Sequence, residues 1–286
     1  MSTPPAPDQE AAPGAPGGSE RGRSDADPLA GHDAVCVRAP NPGPFTLEGT
    51  NTWVLSRRPA WVVDPGPSLD AHLERIFAAV EERGGLGGIV LTHDHEDHSQ
   101  AVPALRERFP APLAGGRGEV DVVLADGVRF GPFEAVATPG HAVDHFALIA
   151  DGACFTGDAV LGRGSVFISP DPGAMAGYLR ALTRLRLREE LDVLCPGHGP
   201  PVGDPRGKLG EYLAHRIDRE NRLIMALGEG RRTVQELLDA VWTDVPEPLR
   251  PAATVTLAAH LDKLEEDEIL PQGVQRPRPK ESEWQL

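Results

Sequence analysis

The sequence predicts an α/β fold: a layered sandwich followed by a small helical module. Two observations lead to this fold class. Between about residues 34 and 205, short apolar runs alternate with amphipathic helical patterns, in two similar halves. Beyond Pro205 the strand-like runs stop, and three helical patterns follow up to about residue 275. The predicted domains are therefore 31–205 and 206–275.

The segments outside these domains are predicted to be tails. Residues 1–30 are rich in Pro, Gly and Ala and lack hydrophobic periodicity, so they cannot bury enough apolar surface to offset the entropy of ordering. They also lack the basic and apolar stretches of a secretory signal, which favours a cytoplasmic location. Residues 276–286 are a second predicted tail. No apolar run approaches the roughly 20 residues of a membrane span, so no membrane partner is expected.

The first half begins with three predicted strands, AVCVRA, TWVLS and AWVVD. A helix follows, with Ser68 as its N-cap and with apolar residues at helical spacing. Gly84 and Gly85 end this helix. The strand GIVLT then leads into the stretch THDHEDHSQ, where a second helix is predicted to start near Asp97 and to run to about Phe109.

The second half repeats this organisation. The predicted strands are VDVVLA, GVRFG, FEAVAT, HFALIA and ACFTG, and a helix follows from about Ala174 to Arg188. The strand LDVLC then leads to PGHG. The three C-terminal helices are GKLGEYLAHRIDRENRLIMAL, TVQELLDAVW and PAATVTLAAHLDKLEEDEIL. The last of these is acidic, which favours a role as a lid or dimerisation element over nucleic-acid binding.

Charge and cysteine content narrow the function classes. The formal net charge is −15, so the chain as a whole repels polyanions, which argues against a dedicated nucleic-acid binder. Its three cysteines lie far apart without a CxxC pair, and they are predicted to be reduced.

Three histidines and three carboxylates occupy the six consecutive positions from His93 to His98. His93 and His95 follow a strand and are two residues apart, so in extended chain both face the same side. Asp97 and His98 come where the chain turns into a helix. Imidazole and carboxylate groups are typical zinc ligands, whereas a solvated charged loop needs no histidine. This stretch therefore predicts a metal site.

Three further segments place a His or an Asp directly after a predicted strand. They are TPGH with His141, FTGD with Asp158 and CPGH with His198. Strand ends are where an α/β sheet usually forms its site, so we expect these side chains to join the histidine cluster.

This pattern, HxHxDH followed by a separate His, Asp and His, resembles the metallo-β-lactamase-fold hydrolases over roughly residues 34–205. The resemblance implies an αββα four-layer sandwich with two Zn²⁺ ions per chain, although such ligands also accept Fe or Mn. By the resemblance, one ion is held by His93, His95 and His141, the second by Asp97, His98 and His198, and Asp158 bridges both.

Four longer segments resemble the beta-lactamase-like protein 2 group, whose members carry a C-terminal winged-helix-like module. They are NPGPFTLEGTNTWVL, PGHAVDHFAL, GDAVLGRGS and EYLAHRIDRE. Activities differ among that group and its near relatives: an animal member cleaves single-stranded RNA, and fungal relatives are thioesterases on acyl carrier protein. The acidic charge favours an ester or thioester on a small molecule or acyl carrier, with single-stranded RNA as the alternative. The sequence predicts no oligomeric state.

The predicted mechanism is hydrolysis by a hydroxide that bridges the two ions. Asp97 is predicted to be catalytic as well as a ligand, because it could hold the hydroxide in line. His145 is a second predicted catalytic residue, and a hydrogen-bonded structural role is its alternative. Asn51 and Ser165 are the predicted substrate contacts, although the turn that contains Asn51 could merely connect two strands.

Overall fold

The computed structural model describes residues 27–277, so the predicted tails lie almost entirely outside the described residues. Two sheets, each with its strands side by side in chain order, form the centre of the molecule. The first sheet consists of β1 (Ala34–Arg38), β2 (Asn51–Leu55), β3 (Ala60–Val63), β4 (Leu86–Val90), β5 (Leu113–Gly115) and β6 (Val122–Val123). The second consists of β7 (Arg129–Phe130), β8 (Phe133–Ala137), β9 (Phe146–Ala150), β10 (Ala153–Gly157) and β11 (Val193–Pro196).

The helices cover the outer faces of the sheets and form the C-terminal module. They are α1 (Asp70–Glu81), α2 (Glu96–Ser99), α3 (Val102–Arg108), α4 (Ala174–Arg186), α5 (Pro205–Gly228), α6 (Val234–Val241) and α7 (Arg250–Glu266), with a 3₁₀ turn at Glu247–Leu249. Within residues 27–277, none of them is long and apolar enough to cross a membrane.

Three buried clusters hold the layers together. Helices α1 and α3 pack against the first sheet, where Ile76 and Leu105 are fully buried. Helices α4 and α5 pack against the second sheet in the same way. Trp53 of the first sheet meets Phe155 of the second in the space between the sheets. The predicted αββα sandwich is thus confirmed, and truncating such a buried side chain costs about 2–5 kcal/mol.

Parallel pairing in both sheets directs several strand ends to one edge. Strand β4 pairs in parallel with both β3 and β5, and β11 pairs in parallel with β10. The carboxyl ends of these strands therefore open toward the same side of the sandwich, where the predicted ligands follow them.

Two local predictions differ from the structure. The helix predicted from Asp97 to Phe109 is two helices, α2 and α3, separated at Gln100–Ala101. Pro103 lies at the start of α3, where its missing N–H is tolerated, whereas inside one continuous helix it would break a hydrogen bond. Ser68 is not the cap of α1, because Leu69 occupies that position without a side-chain hydrogen bond.

The C-terminal module is built around α5, which has 24 residues and belongs to two cores. Its first half contributes Leu209 to the cluster on the second sheet, whereas Leu223 near its end packs with α6 and α7. A capping box formed by Thr233 and Glu236 starts α6. The predicted division after residue 205 thus falls at the start of a helix that the two parts share.

Candidate metal centre

All seven predicted ligands lie at the edge to which the strand ends point. His93 follows β4, His141 follows β8, Asp158 follows β10, and His198 follows β11. The ligand atoms lie within 4.8 Å of one another in three groups: His93, His95 and His141; His93, His98 and Asp158; and Asp97, His98 and His198.

The distances between these atoms are those expected around a cation. Nε2 of His198 lies 3.4 Å from Oδ2 of Asp97 and 3.3 Å from Oδ2 of Asp158. Nε2 of His98 lies 3.5 Å from a carboxylate oxygen of each. Two ligands at about 2.1 Å from one tetrahedral ion are roughly 3.4 Å apart. The spacing therefore leaves room for an ion between them.

Unpartnered polar atoms point to the same conclusion. Buried nitrogen and oxygen atoms are normally hydrogen-bonded. Among the side chains of residues 27–277, the buried atoms without a hydrogen-bond partner include His93 Nε2, Asp97 Oδ1, His98 Nε2, Asp158 Oδ1 and His198 Nε2. These five atoms belong to predicted ligands and face one another in the cluster, so the residues fit a metal ion as the missing partner.

The charges in the cluster suit a cation. Burial raises the pKa of Asp158, but His198 and His98 outweigh burial and hold the pKa well below its usual range. Burial, together with neighbouring imidazoles, lowers the pKa of His93 well below its ordinary value. Burial lowers the pKa of His98 and His198, but the neighbouring carboxylates outweigh it and raise the pKa of both, that of His98 to about 10. An ionised carboxylate and a neutral imidazole are the forms that bind metals, so an ion would take the place of a proton on these two rings.

Asp64 is a functional residue that the sequence analysis missed. Its Oδ2 accepts a hydrogen bond from Nδ1 of His98 at 2.9 Å and another from Oγ1 of Thr92 at 2.7 Å. The contact leaves Nε2 of His98 for the metal centre and fixes the orientation of the ring. The sequence did offer a signal for Asp64. It is the carboxylate that ends the predicted strand AWVVD, and this strand pairs with the one that leads to His93.

Thr50 is a second residue that was missed. Its hydroxyl donates to Oδ2 of Asp97 at 2.8 Å, and its own amide donates to the Asn41 side chain at 2.9 Å. Asp97 is thus oriented by the turn before β2, while its Oδ1 remains without a partner among the described residues.

His145 does not have the environment of a proton donor to substrate. Its side chain is 1% exposed, Nδ1 lies 2.7 Å from Oγ1 of Thr138, and Nε2 accepts from the amide of Asp158 at 3.1 Å. Burial lowers its pKa to about 3, so the ring is neutral. The geometry favours the structural alternative: His145 positions the backbone that carries Asp158.

The two predicted substrate contacts have different surroundings. Asn51 is fully buried, and its amide donates to the carbonyl oxygens of Pro196 and Gly199 at 3.0 and 2.8 Å, so it holds the loop around His198 instead of facing a substrate. Ser165 is exposed and lines the cavity described below.

Arg117 links two ligand-bearing loops. Its guanidinium donates to both oxygens of Asp94, at 2.5 and 2.8 Å, and lies 3.7 Å from the buried carboxylate of Asp144. Asp94 lies between His93 and His95, whereas Asp144 lies on the loop that follows His141. Asp94 thus connects loops through Arg117, and within residues 27–277 its carboxylate makes no hydrogen bond to a predicted ligand.

A cavity of about 510 Å³ opens from the centre toward the C-terminal module. His141 and Asp158 line it, and its walls are mostly apolar, with contributions from the loop after β1, the loop after β10 and helices α5 and α7. The apolar wall residues include Phe45, Leu47, Leu161, Val166, Phe167, Trp242, Val245 and Leu249. The space therefore suits an apolar group whose reactive end reaches the centre.

Two family models match the chain. The model of the Metallo-beta-lactamase superfamily matches residues 45–124 and 118–198. The model of the Beta-lactamase associated winged helix domain matches residues 233–272, which confirms the predicted C-terminal winged helix.

Curated relatives and a solved structure agree with this assignment. "Atrochrysone carboxyl ACP thioesterase" of Aspergillus chevalieri is 35% identical over an aligned length of 235 residues, and the match covers 74% of this chain and 74% of the relative. "Beta-lactamase-like protein 2 homolog" of Drosophila melanogaster is 29% identical over 263 residues, covering 79% of this chain and 86% of that protein. A beta-lactamase domain protein from Burkholderia ambifaria shares the fold, with a TM-score of 0.69 and 22% identity over 82% of this chain and 86% of its own. The predicted family is confirmed: the chain belongs to the metallo-beta-lactamase superfamily.

Proposed function

We propose that this hydrolase cleaves a thioester whose thiol is carried on a coenzyme or an acyl carrier protein. The observation that carries the proposal is the apolar cavity beside the metal centre, since it can enclose an acyl group while the carbonyl carbon reaches His141 and Asp158. The name of the relative from Aspergillus chevalieri, an ACP thioesterase, supports the same class of substrate.

Charge argues against the alternative substrate, single-stranded RNA. The net charge of −15 disfavours a polyanion. Arg276, which follows the residues that the winged-helix model matches, is already paired with Asp262 and with Glu265. Helix α7 is also largely buried, so it offers few side chains to a groove.

We assign the metal to the seven clustered side chains and propose two Zn²⁺ ions per chain, with Fe or Mn as alternatives. When bound, such ions lower the pKa of water toward neutrality and stabilise negative charge on a carbonyl oxygen. Asp97 and Asp158 contribute two negative charges to this cationic site. Elemental analysis of active protein tests the assignment, and active protein free of transition metals would contradict it.

The chain's own residues orient the reactants. The Thr50 hydroxyl fixes Oδ2 of Asp97, so the unpartnered Oδ1 can accept a hydrogen bond from the attacking water and align it with the carbonyl carbon. The apolar walls exclude bulk water from the acyl group, which strengthens every polar interaction at the reacting carbonyl. A cytoplasmic location is part of this proposal, since all three cysteines are unpaired.

The test compares two substrate classes on the same purified protein. A panel of acyl thioesters and a fluorescent single-stranded RNA are assayed with wild type, with Asp97→Asn and with Asp218→Asn. Asp218 is an exposed carboxylate on α5, so its variant controls for the loss of one charge. We expect thioester hydrolysis that falls by at least about 100-fold in Asp97→Asn and is retained in the control. RNA cleavage that depends on Asp97, without thioester turnover, would overturn the proposal.

A further inference from the structure

Arg216 is a buried cation in the wall of the cavity. It belongs to the EYLAHRIDRE segment on α5, and its side chain is 2% exposed. One terminal nitrogen donates to Oγ of Ser165 at 3.0 Å and to the carbonyl oxygen of Val166. The guanidinium lies 5.6 Å from the ring centroid of Tyr178. These contacts fix the side chain in place without neutralising its charge.

No carboxylate of residues 27–277 forms an ion pair with Arg216, and its Nε is buried without a hydrogen-bond partner. Burial lowers the pKa of Arg216, and the titratable groups that act on it most strongly are Tyr178, Tyr212 and Arg219, none of them anionic at neutral pH. Burying a charge without an opposite charge is costly, so such groups are normally paired.

Arg219, one turn further along the same helix, shows the usual arrangement. It is 3% exposed and also lines the cavity, but its guanidinium pairs with the carboxylate of Asp244 at 2.5 Å. The two arginines thus have similar burial and different partners. Arg216 is the one left with a free positive charge beside the space for the substrate.

The cavity indicates which anion would fit. His141, Asp158 and Arg216 line the same space, so one molecule can contact the metal centre and the guanidinium together. A carboxylate carries a single negative charge, which one guanidinium neutralises, and its planar shape matches the donors of arginine. A phosphate dianion would leave excess negative charge against the apolar walls.

We propose that Arg216 binds a carboxylate at the far end of the acyl group, so that the enzyme prefers thioesters of dicarboxylic acids. This inference rests on the proposed thioesterase function, and it adds the substrate class and the residue that determines it. Arg216 is a specificity-determining residue, and Ser165, which also lines the cavity, accepts a hydrogen bond from its guanidinium.

The test uses two substrates of equal chain length, the adipoyl and hexanoyl thioesters of N-acetylcysteamine, which differ by the terminal carboxylate. We expect wild type to favour the adipoyl thioester in kcat/KM by about 10- to 100-fold, chiefly through KM. Arg216→Met should abolish this preference, and Arg216→Lys should keep part of it. Arg222→Met, which removes an exposed arginine of the same helix, should retain it in full.

A binding measurement separates failure of this inference from failure of the proposed function. Adipate and hexanoate are titrated into the metal-loaded protein by calorimetry, with adipate expected to bind more tightly in wild type and equally with hexanoate in Arg216→Met. Hydrolysis of both thioesters without an adipoyl preference, or equal binding of both acids by wild type, would overturn the inference. If neither thioester is cleaved, the proposed function fails, and the two acids still decide whether Arg216 binds a carboxylate. If Arg216→Met does not fold, wild type and Arg216→Lys supply the same comparisons.

Discussion

The carboxylate of Asp64 accepts a hydrogen bond from Nδ1 of His98 at 2.9 Å, and both side chains are almost completely buried. The same carboxylate accepts hydrogen bonds from the amide and the hydroxyl of Thr92 at 2.7 Å each. Asp64 therefore fixes both the strand end that precedes the histidine cluster and the ring orientation of one ligand.

Replacing Asp64 by Ala should weaken metal binding by about 10- to 100-fold, the usual effect of losing a partner that orients a ligand. Without the carboxylate, His98 can rotate, and its Nδ1 has no acceptor. Competition with a chelator of known affinity measures the change. Asp151→Asn, at an exposed position paired with Arg57, is the control and should bind metal as wild type does. Unchanged affinity in Asp64→Ala would show that the hydrogen bond does not support the site.

His145→Ala should reduce metal retention and activity together, because the amide of Asp158 loses its acceptor. The shape of the pH–rate profile should stay the same, since a ring whose pKa is lowered to about 3 by burial does not titrate near neutrality. His145→Gln can accept from the same amide and should recover part of the loss. If His145→Ala kept its full metal content but its pH–rate profile lost the rise or the fall on one side, His145 would instead be a catalytic acid or base.

Gly197→Ala should disrupt the metal centre because there is no room for a side chain. A Cβ at this position would lie 2.4 Å from Oδ1 of Asp158 and 2.7 Å from Cε1 of His98, so a ligand would have to move. We expect at least about a 10-fold loss of metal affinity. Gly228→Ala, where the added methyl meets nothing within 4 Å, is the control and should leave metal affinity unchanged. Equal metal affinities in Gly197→Ala and Gly228→Ala would show that a methyl group at residue 197 does not displace a ligand.

The clustering of the candidate metal ligands could be predicted because ligand chemistry restricts residue types. A histidine such as His198, placed after a strand and a glycine, has few structural reasons to be there, and strand ends converge in this class of fold. Asp64 and Thr50 carry no such mark, since Asp and Thr are ordinary residues at turns. Their roles depend on which loops meet in three dimensions.

The helical patterns predicted where the helices lie in the sequence better than they predicted which of their side chains are buried. The segment that contains Arg216 reads as an amphipathic helix, and α5 is one. Its burial, however, depends on packing against α4 and the loop at Ser165, which lie about 40 and 50 residues away in the sequence. The break before α3 was missed although Pro103 indicated it: a proline six residues into one continuous helix would remove a backbone hydrogen bond, whereas the first turn of a new helix tolerates it.

His72 should make the protein less stable in mild acid. Its ring is fully buried in α1, where Nε2 lies 3.1 Å from the carbonyl oxygen of Pro65 and Nδ1 has no partner among the described residues. Burial lowers its pKa to about 4. Between pH 6.5 and 4 the unfolded chain therefore binds a proton that the folded protein does not. As the pH is lowered through this range, the free energy of unfolding decreases by up to about 3 kcal/mol. Urea unfolding of wild type and His72→Gln at pH 7.5, 6 and 5 measures this loss. We expect it to be smaller in the variant, whereas His32→Gln, at a partly exposed histidine, should follow wild type. The same loss in all three proteins would mean that His72 does not contribute to the acid sensitivity.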